Sequence, residues 1–336
     1  MRVLLTGGTG YIGSHAAVAL AKADHDIVLF DNLSNSSQGV IPKLELITGK
    51  SVPFVKGDIS DTPLLIKTLT DYKIDAVLHF AGLKAVGESV AKPIQYYSNN
   101  VGGTISLLKA LQETNVRTLV FSSSATVYGN PEYLPLDEDH PVSSTNPYGQ
   151  TKIQIEEILA DLAKSDSNWQ IACLRYFNPV GAHESGLIGE DPQGIPNNLM
   201  PYINKVASGD LPKLSVFGGD YPTPDGTGVR DYIHVLDLVE GHLAALDFLQ
   251  THNGWHAVNL GTGQGYSVLD MIKAFEVATG CSVLHEIVQR RPGDIATCYA
   301  EANKAANQLN WKATRTLEEM CESAWNFQKN NHADSV

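Results

Sequence analysis

The feature that most constrains the fold is a glycine-rich segment near the start of the sequence. The segment Gly7-Gly8-Thr9-Gly10-Tyr11-Ile12-Gly13 ends an apolar run at residues 3–6 and opens a predicted helix. Its glycines permit a tight turn and a close backbone approach, and the helix N-terminus offers free N–H groups. This order favours a dinucleotide-binding βαβ unit, with a plain glycine turn as the alternative. No lysine follows the glycines, so the segment is not a P-loop.

Up to about residue 176, short apolar runs alternate with longer amphipathic segments. This alternation is typical of repeated βαβ units, and continuous apolar runs are typical of strands buried on both faces. The predicted strands are residues 3–6, 26–30, 52–55, 76–80, 118–122 and 171–175, and the predicted helices include 104–112 and 153–163. The predicted fold is therefore α/β, a Rossmann-type doubly wound parallel sheet followed by a second, smaller α/β lobe.

Beyond Phe177 the chain becomes rich in proline and glycine. Because 336 residues is about twice the usual domain length of ~150, we predict two domains, residues 1–177 and 178–336. Within 231–262 the pattern again predicts strand, helix and strand, so this segment is a candidate to return to the first domain.

The charge balance and the cysteines exclude several classes of function. The chain has 24 Lys and Arg against 37 Asp and Glu, a formal net charge of −13 that repels nucleic acid and anionic membranes. We therefore expect no nucleic-acid or membrane partner, and a locally positive pocket for any anionic substrate. The cysteines lack metal-ligand spacing, so we expect neither a metal nor a disulfide framework. With no signal-peptide core and no run of ~18 apolar residues, we expect a cytoplasmic protein.

Asp31 closes the second predicted strand, 18 residues after Gly13. At this position an acidic side chain accepts hydrogen bonds from the ribose hydroxyls of a bound dinucleotide. Residues 32–38 contain no Arg or Lys, so a 2′-phosphate would meet a carboxylate with nothing to neutralise it. The sequence thus predicts NAD rather than NADP, with a loop-capping role for Asp31 as the alternative.

Tyr148 and Lys152 are four residues apart at the start of a predicted helix, so they share one face. Such a pair alone is common on helix surfaces. Beside a nucleotide site, an ammonium and a positive nicotinamide would favour the phenolate, which makes Tyr148 a candidate base. Ser124 and its two preceding serines end the fifth strand, where one hydroxyl can contact a substrate, although loop capping is the alternative.

Several blocks together are similar to the UDP-glucose 4-epimerase family within the extended short-chain dehydrogenase/reductase superfamily. They are residues 7–13, 58–59, 80–84, 122–129, 148–152, 175–181, 194–201, 220–234 and 290–294. The resemblance covers nearly the whole chain. It implies an NAD-dependent isomerase of carbohydrate (galactose) metabolism in which Tyr148 is the base, assisted by Lys152 and Ser124.

The resemblance also implies the binding residues. The implied NAD contacts are Gly7, Gly10, Tyr11, Ile12, Gly13, Asp31, Asn32, Leu33, Ser34, Asn35, Ser36, Asp58, Ile59, Phe80, Ala81, Gly82, Leu83, Lys84, Asn99, Ser124, Tyr148, Lys152 and Phe177. The implied contacts of the UDP-sugar are Ser124, Tyr148, Asn178, Asn198, Ser215, Val216, Phe217, Arg230, Arg291, Asp294 and Cys298. Guanidinium groups suit a diphosphate in an acidic protein.

The expected reaction interconverts UDP-glucose and UDP-galactose through a 4-keto sugar. A nucleotide-sugar 4,6-dehydratase or decarboxylase would need a further acid and base, where this chain has Ala125 and Thr126. A catalytically inactive NAD-sensing scaffold is a second alternative. The resemblance further implies a homodimer formed through the helical segments 102–113 and 153–163.

Cys298 departs from the bulky tyrosine that many members of the family carry at this place. A thiol there leaves room near the sugar C2, so we expect UDP-GlcNAc and UDP-GalNAc to be substrates as well. The alternative is a small buried position whose volume is filled by its neighbours.

Overall fold

A computed structural model of the chain describes residues 1–192, 196, 198–291 and 293–333. The sequence blocks 194–201 and 290–294 therefore include residues outside the described part, namely Gly194, Ile195, Asn197 and Pro292. The predicted second domain also extends past it, to residue 336.

Strands and helices alternate through the first half of the chain. The strands are β1 (Arg2–Thr6), β2 (Asp26–Asp31), β3 (Phe54–Lys56), β4 (Ala76–His79), β5 (Thr118–Ser124), β6 (Gln170–Tyr176), β7 (Asn178–Val180), β8 (Leu214–Phe217), β9 (Val229–His234), β10 (Gly254–Leu260), β11 (Gly265–Ser267), β12 (His285–Val288) and β13 (Thr297–Cys298). The helices are α1 (Tyr11–Lys22), α2 (Val40–Thr48), α3 (Thr62–Asp71), α4 (Val86–Ala91), α5 (Pro93–Tyr96), α6 (Gly103–Glu113), α7 (Pro147–Ser165), α8 (Leu199–Ala207), α9 (Val235–Leu249), α10 (Val268–Thr279), α11 (Asn303–Gln308) and α12 (Leu317–Ala333).

Across the described residues, seven strands form one parallel sheet in the order β3-β2-β1-β4-β5-β6-β10. This confirms the predicted α/β fold with a Rossmann-type doubly wound sheet. The third strand begins at Phe54 rather than at the predicted residue 52. Pro53 precedes it and has no N–H for the ladder, although its carbonyl accepts from Leu29 N over 2.9 Å.

Both faces of the sheet are covered, which explains the continuous apolar runs. Val3 and Leu5 of β1 pack into one core with residues of α1, α2 and α9. Leu4, between them, packs into the opposite core with residues of α3, α6 and α7. Alternate residues of one strand thus enter two separate cores, so none of these positions tolerates a polar side chain.

The order of the strands places a crevice between β1 and β4. The chain runs outward from β1 to β2 and β3 and then crosses to β4 on the other side of β1. Open parallel sheets bind ligands at such a reversal, outside the carboxyl ends of the strands. The loops that follow β1 and β4 meet here, since a Cβ built on Gly7 would lie 2.7 Å from the backbone nitrogen of Ala81.

The remaining strands form smaller sheets on the carboxyl side of the large one. Strand β9 pairs with β7, β11 and β13, and β8 pairs with β12. Helices α8, α10 and α12 contribute to the apolar core behind them. Strand β10 lies late in the sequence yet pairs with β6 in the large sheet, and α9 packs on α1. The division of the chain at residue 177 stays a prediction.

Candidate active site

The glycine-rich turn presents a bare helix N-terminus to the crevice. Gly7 has a φ of +68°, and a Cβ on Gly13 would lie 2.2 Å from the Gly7 carbonyl oxygen, so neither position accommodates a side chain. Gly10 precedes the first turn of α1, which has no side-chain cap and no acidic residue. The unpaired N–H groups and the helix dipole suit a pyrophosphate, so the turn fits the predicted NAD.

Asp31, at the end of β2, is buried behind this turn. Its carboxylate accepts from the backbone nitrogens of Thr9 (3.1 Å) and Leu33 (2.9 Å) and from the Ser36 hydroxyl (3.1 Å). A carboxylate has about four lone-pair sites, so one remains for a ribose hydroxyl. Asp31 can therefore cap the loop and still accept a hydrogen bond from a ribose hydroxyl, so the two predicted roles are compatible in this geometry. Leu33 has a φ of +63°, which turns the chain around the carboxylate.

A second acidic group lies beside the first. Asn32 donates through its amide to Asp58 over 2.7 Å, and Asp58 also accepts from the backbone and hydroxyl of Ser60. These hydrogen bonds, those from Ser60 foremost, lower the pKa of Asp58. The neighbouring Ile59 packs in the core beneath, and this anchors the implied NAD contacts Asp58 and Ile59 to the sheet.

The loop after β4 is fixed by a residue that the sequence patterns did not single out. Asn100 is buried, and its side chain accepts from Leu83 N (2.8 Å) and donates to the Leu83 carbonyl (3.0 Å). Its amide also donates to the hydroxyl of Thr151, the neighbour of Lys152 in α7 (3.1 Å), and its oxygen accepts from Asn99 (2.9 Å). Asn100 therefore ties the predicted cofactor loop, residues 80–84, to the helix that carries the predicted base.

Lys152 lies at the carboxyl end of β5. Its ammonium donates to the Ser122 carbonyl over 2.6 Å and lies 4.7 Å from the centre of the Phe121 ring. Burial lowers the pKa of Lys152 to about 8, while Glu156 and Cys173 oppose that change. An ammonium close to neutrality can carry a positive charge or release its proton with small changes in its surroundings.

Tyr148 and Ser124 meet beside this ammonium. Asn146 caps α7 by accepting from Gly149 N over 2.9 Å, which places Tyr148 in the first turn. Burial raises the pKa of Tyr148, and the nearby Ser124 hydroxyl lowers it. The Lys152 ammonium donates to the Ser122 carbonyl and lies 5.8 Å from the centre of the tyrosine ring, and its effect on the Tyr148 pKa beside a bound nicotinamide stays a prediction.

A buried ion pair supports the floor of this site. Arg175 and Glu156 are 4% and 5% exposed, and Arg175 donates to Glu156 over 2.7 Å. The same guanidinium donates to the Tyr128 hydroxyl over 3.1 Å, and Glu156 accepts from Ser123. Glu156 follows Lys152 by one helical turn, so the ion pair holds β6 against α7, and the hydrogen bond from Ser123 holds the end of β5 to the same carboxylate. The sequence patterns did not identify either partner as a site residue.

The predicted residues for the sugar and diphosphate surround the same edge of the sheet. Phe177, an implied NAD contact, is buried, and Asn178, an implied UDP-sugar contact, is exposed at the junction of β6 and β7. Arg230 pairs with Cys298 across β9 and β13, and its guanidinium donates to the Val229 carbonyl over 2.8 Å. In the part of the chain that the structure describes, Arg230 has no carboxylate partner, so its charge is available to an anion.

Some of the other implied UDP-sugar contacts interact with one another. Arg291 pairs with Asp294 over 2.9 Å and lies 4.8 Å from the centre of the Phe217 ring. Ser215 is half-buried in β8, and the side chain of Val216 enters the core, so this side chain is not available to a ligand. These residues lie on β8, on β9 and in the loop before β13, and their contact with a UDP-sugar stays a prediction.

No group of three His, Cys, Asp or Glu side chains within residues 1–192, 196, 198–291 and 293–333 is arranged to hold a metal ion. None of the helices in these ranges is long and apolar enough to span a membrane.

Comparisons with known proteins agree with this geometry. A UDP-glucose 4-epimerase of Bacillus subtilis is 56% identical over 98% of both chains. A crystal structure of UDP-glucose 4-epimerase from Stenotrophomonas maltophila with bound NAD and formylated UDP-arabinopyranose matches with a TM-score of 0.97 and 52% identity over 99% of both chains. The enzyme from Bifidobacterium longum in complex with NAD+ and UDP matches with a TM-score of 0.96 and 52% identity, again over 99% of both. The model of the NAD dependent epimerase/dehydratase family matches residues 3–261, so the chain belongs to that family.

Proposed function

We propose that the chain interconverts UDP-glucose and UDP-galactose by epimerisation at C4, with NAD retained between turnovers. The observation that carries the proposal is the convergence of Ser124, Tyr148 and Lys152 at the carboxyl end of β5, on the edge of the parallel sheet where the glycine turn follows β1. The relatives named UDP-glucose 4-epimerase at more than half identity support it, as do their complexes with NAD and UDP compounds.

The division of roles follows from the positions of the side chains. Bound NAD supplies reversible two-electron oxidation at C4. Tyr148 takes the proton from the sugar O4 and returns it, and the Ser124 hydroxyl contacts the same oxygen. Burial alone keeps the Tyr148 hydroxyl protonated, so proton removal depends on positive charge near the ring. Lys152 supplies such a charge when it is protonated, and its bond to the Ser122 carbonyl holds the ammonium 5.8 Å from the centre of the Tyr148 ring.

The diphosphate and the sugar are held differently in this proposal. Arg230, with its uncommitted charge, and Arg291 bind the diphosphate. Asn178 and Asn198 add amide donors from exposed positions. A firmly held UDP with a loosely held sugar allows the keto sugar to turn over before it escapes.

The test is incubation of the purified protein with UDP-galactose, followed by chromatographic analysis of the products. UDP-glucose should form, and Tyr148→Phe should abolish its formation. Tyr133→Phe is the matched control, because Tyr133 is exposed and its hydroxyl donates to Asp137. A Tyr148→Phe variant with unchanged turnover would refute the proposal. A 4-keto-6-deoxy product would indicate the dehydratase alternative, and NAD binding without conversion would indicate the scaffold.

We also propose that the sugar site accepts N-acetylated UDP-sugars. Cys298 is buried in a cluster with Val127 and Phe177, next to the end of β5. Its register partner is Arg230, a proposed diphosphate contact, and this neighbour supports a place for the thiol near the bound sugar nucleotide. A tyrosine ring at this position would occupy the space proposed for an N-acetyl group near the sugar C2, whereas the smaller thiol leaves that space to the substrate.

The cysteine proposal is tested with UDP-GlcNAc. Cys298→Tyr should suppress its conversion and spare UDP-glucose, while Cys298→Ser, which keeps the small volume, should retain both activities. If the natural protein fails to convert UDP-GlcNAc at millimolar concentration, the neighbours fill the space and the alternative is correct.

The proposed assembly is a homodimer through α6 and α7. On this side of the sheet, Val90 and Ile94 are 63% and 79% exposed, and Ile105 of α6 is 37% exposed. Light scattering at micromolar concentration should give the dimer mass, and Ile105→Glu should shift it toward the monomer. Leu46→Glu, on α2 at the opposite face, should not. A monomer mass for the natural protein would refute the dimer. The proposed location is the cytoplasm.

A further inference from the structure

The carboxylate of Glu190 connects the two sides of the candidate site. Its Oε1 atom accepts from Lys84 Nζ over 3.0 Å and from Asn198 Nδ2 over 2.6 Å. Lys84 belongs to the implied NAD contacts and Asn198 to the implied UDP-sugar contacts. One oxygen atom therefore joins a cofactor residue to a substrate residue. Neither the motifs nor the resemblance pointed to Glu190.

The backbone around Glu190 is firmly placed. Ile188 is buried in the core that also contains residues of β1 and α9. Gly189 packs against the ring of Phe327 in α12, where a Cβ would lie 2.4 Å from the ring carbons. The Glu190 side chain is itself only 10% exposed. Its carboxylate therefore occupies a fixed position rather than following its partners.

Tyr11 extends this connection to the glycine turn. Tyr11 and Glu190 line the same small cavity, and the Tyr11 hydroxyl donates to the Gly181 carbonyl over 2.7 Å. Burial and the charge of Glu190 raise the pKa of Tyr11, so its hydroxyl stays protonated and keeps donating. The first residue of α1 thus lies against the loop that presents Glu190.

We propose that Glu190 is a positioning residue that couples the cofactor side of the site to the substrate side. The inference rests on the proposed function, which assigns Lys84 and Asn198 to different ligands. Among the described residues, Lys84 has Glu190 as its only carboxylate partner. A ligand that moves Lys84 or Asn198 changes the hydrogen bond that this residue donates to Glu190 Oε1. The hydrogen bond that the other residue donates to the same oxygen then changes in strength. Such coupling between two ligands is reciprocal.

The experiment is a double-mutant cycle on UDP affinity, measured by calorimetry with NAD-loaded protein. Lys84→Ala and Asn198→Ala are combined, first with Glu190 present and then in a Glu190→Gln background. With Glu190 present, the fold-loss of UDP affinity in the double variant should differ from the product of the two single fold-losses by roughly threefold or more. In the Glu190→Gln background the losses should multiply. The proposal would be overturned if the two fold-losses of UDP affinity multiplied in both backgrounds. It would also be overturned if the double variant differed from that product by the same factor in both.

Further readouts separate positioning from a structural role. Glu190→Gln should raise the KM for UDP-galactose and speed the loss of NAD on dilution, with a smaller change in kcat. The adjacent, exposed Asp191→Asn should change neither quantity. If Glu190→Gln fails to fold, Glu190→Asp, whose carboxylate is one methylene shorter, replaces it in the cycle. A protein that binds UDP but does not convert UDP-galactose would contradict the proposed function alone.

Discussion

Replacing Lys152 by methionine should change how the stability of the folded protein depends on pH. Burial lowers the pKa of Lys152 from its ordinary 10.5 to about 8. The folded protein therefore loses this proton at a lower pH than the unfolded chain. Below about pH 8 both states are protonated and the buried charge opposes folding. Between pH 8 and 10.5 the unfolded chain binds more protons, so stability rises with pH.

The size of the effect follows from the two pKa values. Lys152 is only 5% exposed, so solvent screening removes little of it. A fall from 10.5 to about 8 corresponds to about 3 kcal/mol in total, of which about 2 kcal/mol is gained between pH 7 and pH 9.5. Methionine has no proton to lose. The stability of Lys152→Met relative to the natural protein should therefore fall by about 2 kcal/mol over that pH range.

The measurement is urea unfolding of both proteins from pH 7 to 9.5, with the NAD content matched because a bound cofactor adds stability. Loss of the bond from the neutral amine to the Ser122 carbonyl gives a constant offset, and the extra strength of this bond in the charged form is already contained in the pKa. Lys164→Met is the control, since Lys164 is 77% exposed on the same helix and should give a flat difference. A flat difference for Lys152→Met would refute the reasoning.

Activity provides the second half of this prediction. The charge of Lys152 lies near Tyr148, so its loss should lower kcat per folded molecule while the fold persists. If Lys152→Met unfolded the protein but preserved the activity of the folded fraction, the residue would be structural.

Two further predictions follow from the packing around the site. Gly13→Ala should lower the NAD content of the purified protein, because its Cβ would lie 2.2 Å from the Gly7 carbonyl oxygen. The NAD content is measured by absorbance after denaturation. Gly87→Ala is the control and should retain NAD, because Gly87 has open space around it. Arg175→Met should cost about 3–5 kcal/mol of unfolding free energy in urea, because Glu156 stays buried without its partner. Adding Glu156→Gln should restore part of that loss, and no recovery would contradict the argument.

The elements that could be predicted from the sequence are those determined by local patterns. The glycine turn, the strands of the large sheet and the shared face of Tyr148 and Lys152 depend on short spacings, and the structure has each of them. The predicted start of the third strand was wrong by two residues. The apolar character of Val52 suggested a strand there, whereas the ladder begins only after Pro53.

The supporting residues of the site could not be predicted in this way. Asn100 resembles any other asparagine of a helical segment until Leu83 and Thr151 are placed around it. Its position next to Asn99 is the only local signal, and the resemblance selected Asn99 instead. A buried amide with several partners arises from three separate stretches of chain, so no spacing rule describes it.

The protonation state of the predicted base, Tyr148, also could not be predicted from a spacing rule, and the chemistry of the site depends on it. The spacing of Tyr148 and Lys152 suggested that the ammonium, together with a positive nicotinamide, would favour the phenolate. In the folded chain the Ser122 carbonyl binds that ammonium, and burial becomes the dominant effect on both groups. Burial keeps the phenol neutral and brings the lysine close to losing its charge. Whether Tyr148 ionises therefore depends on its burial, on the Ser124 hydroxyl and on the positive charge near its ring, and the four-residue spacing alone does not decide it.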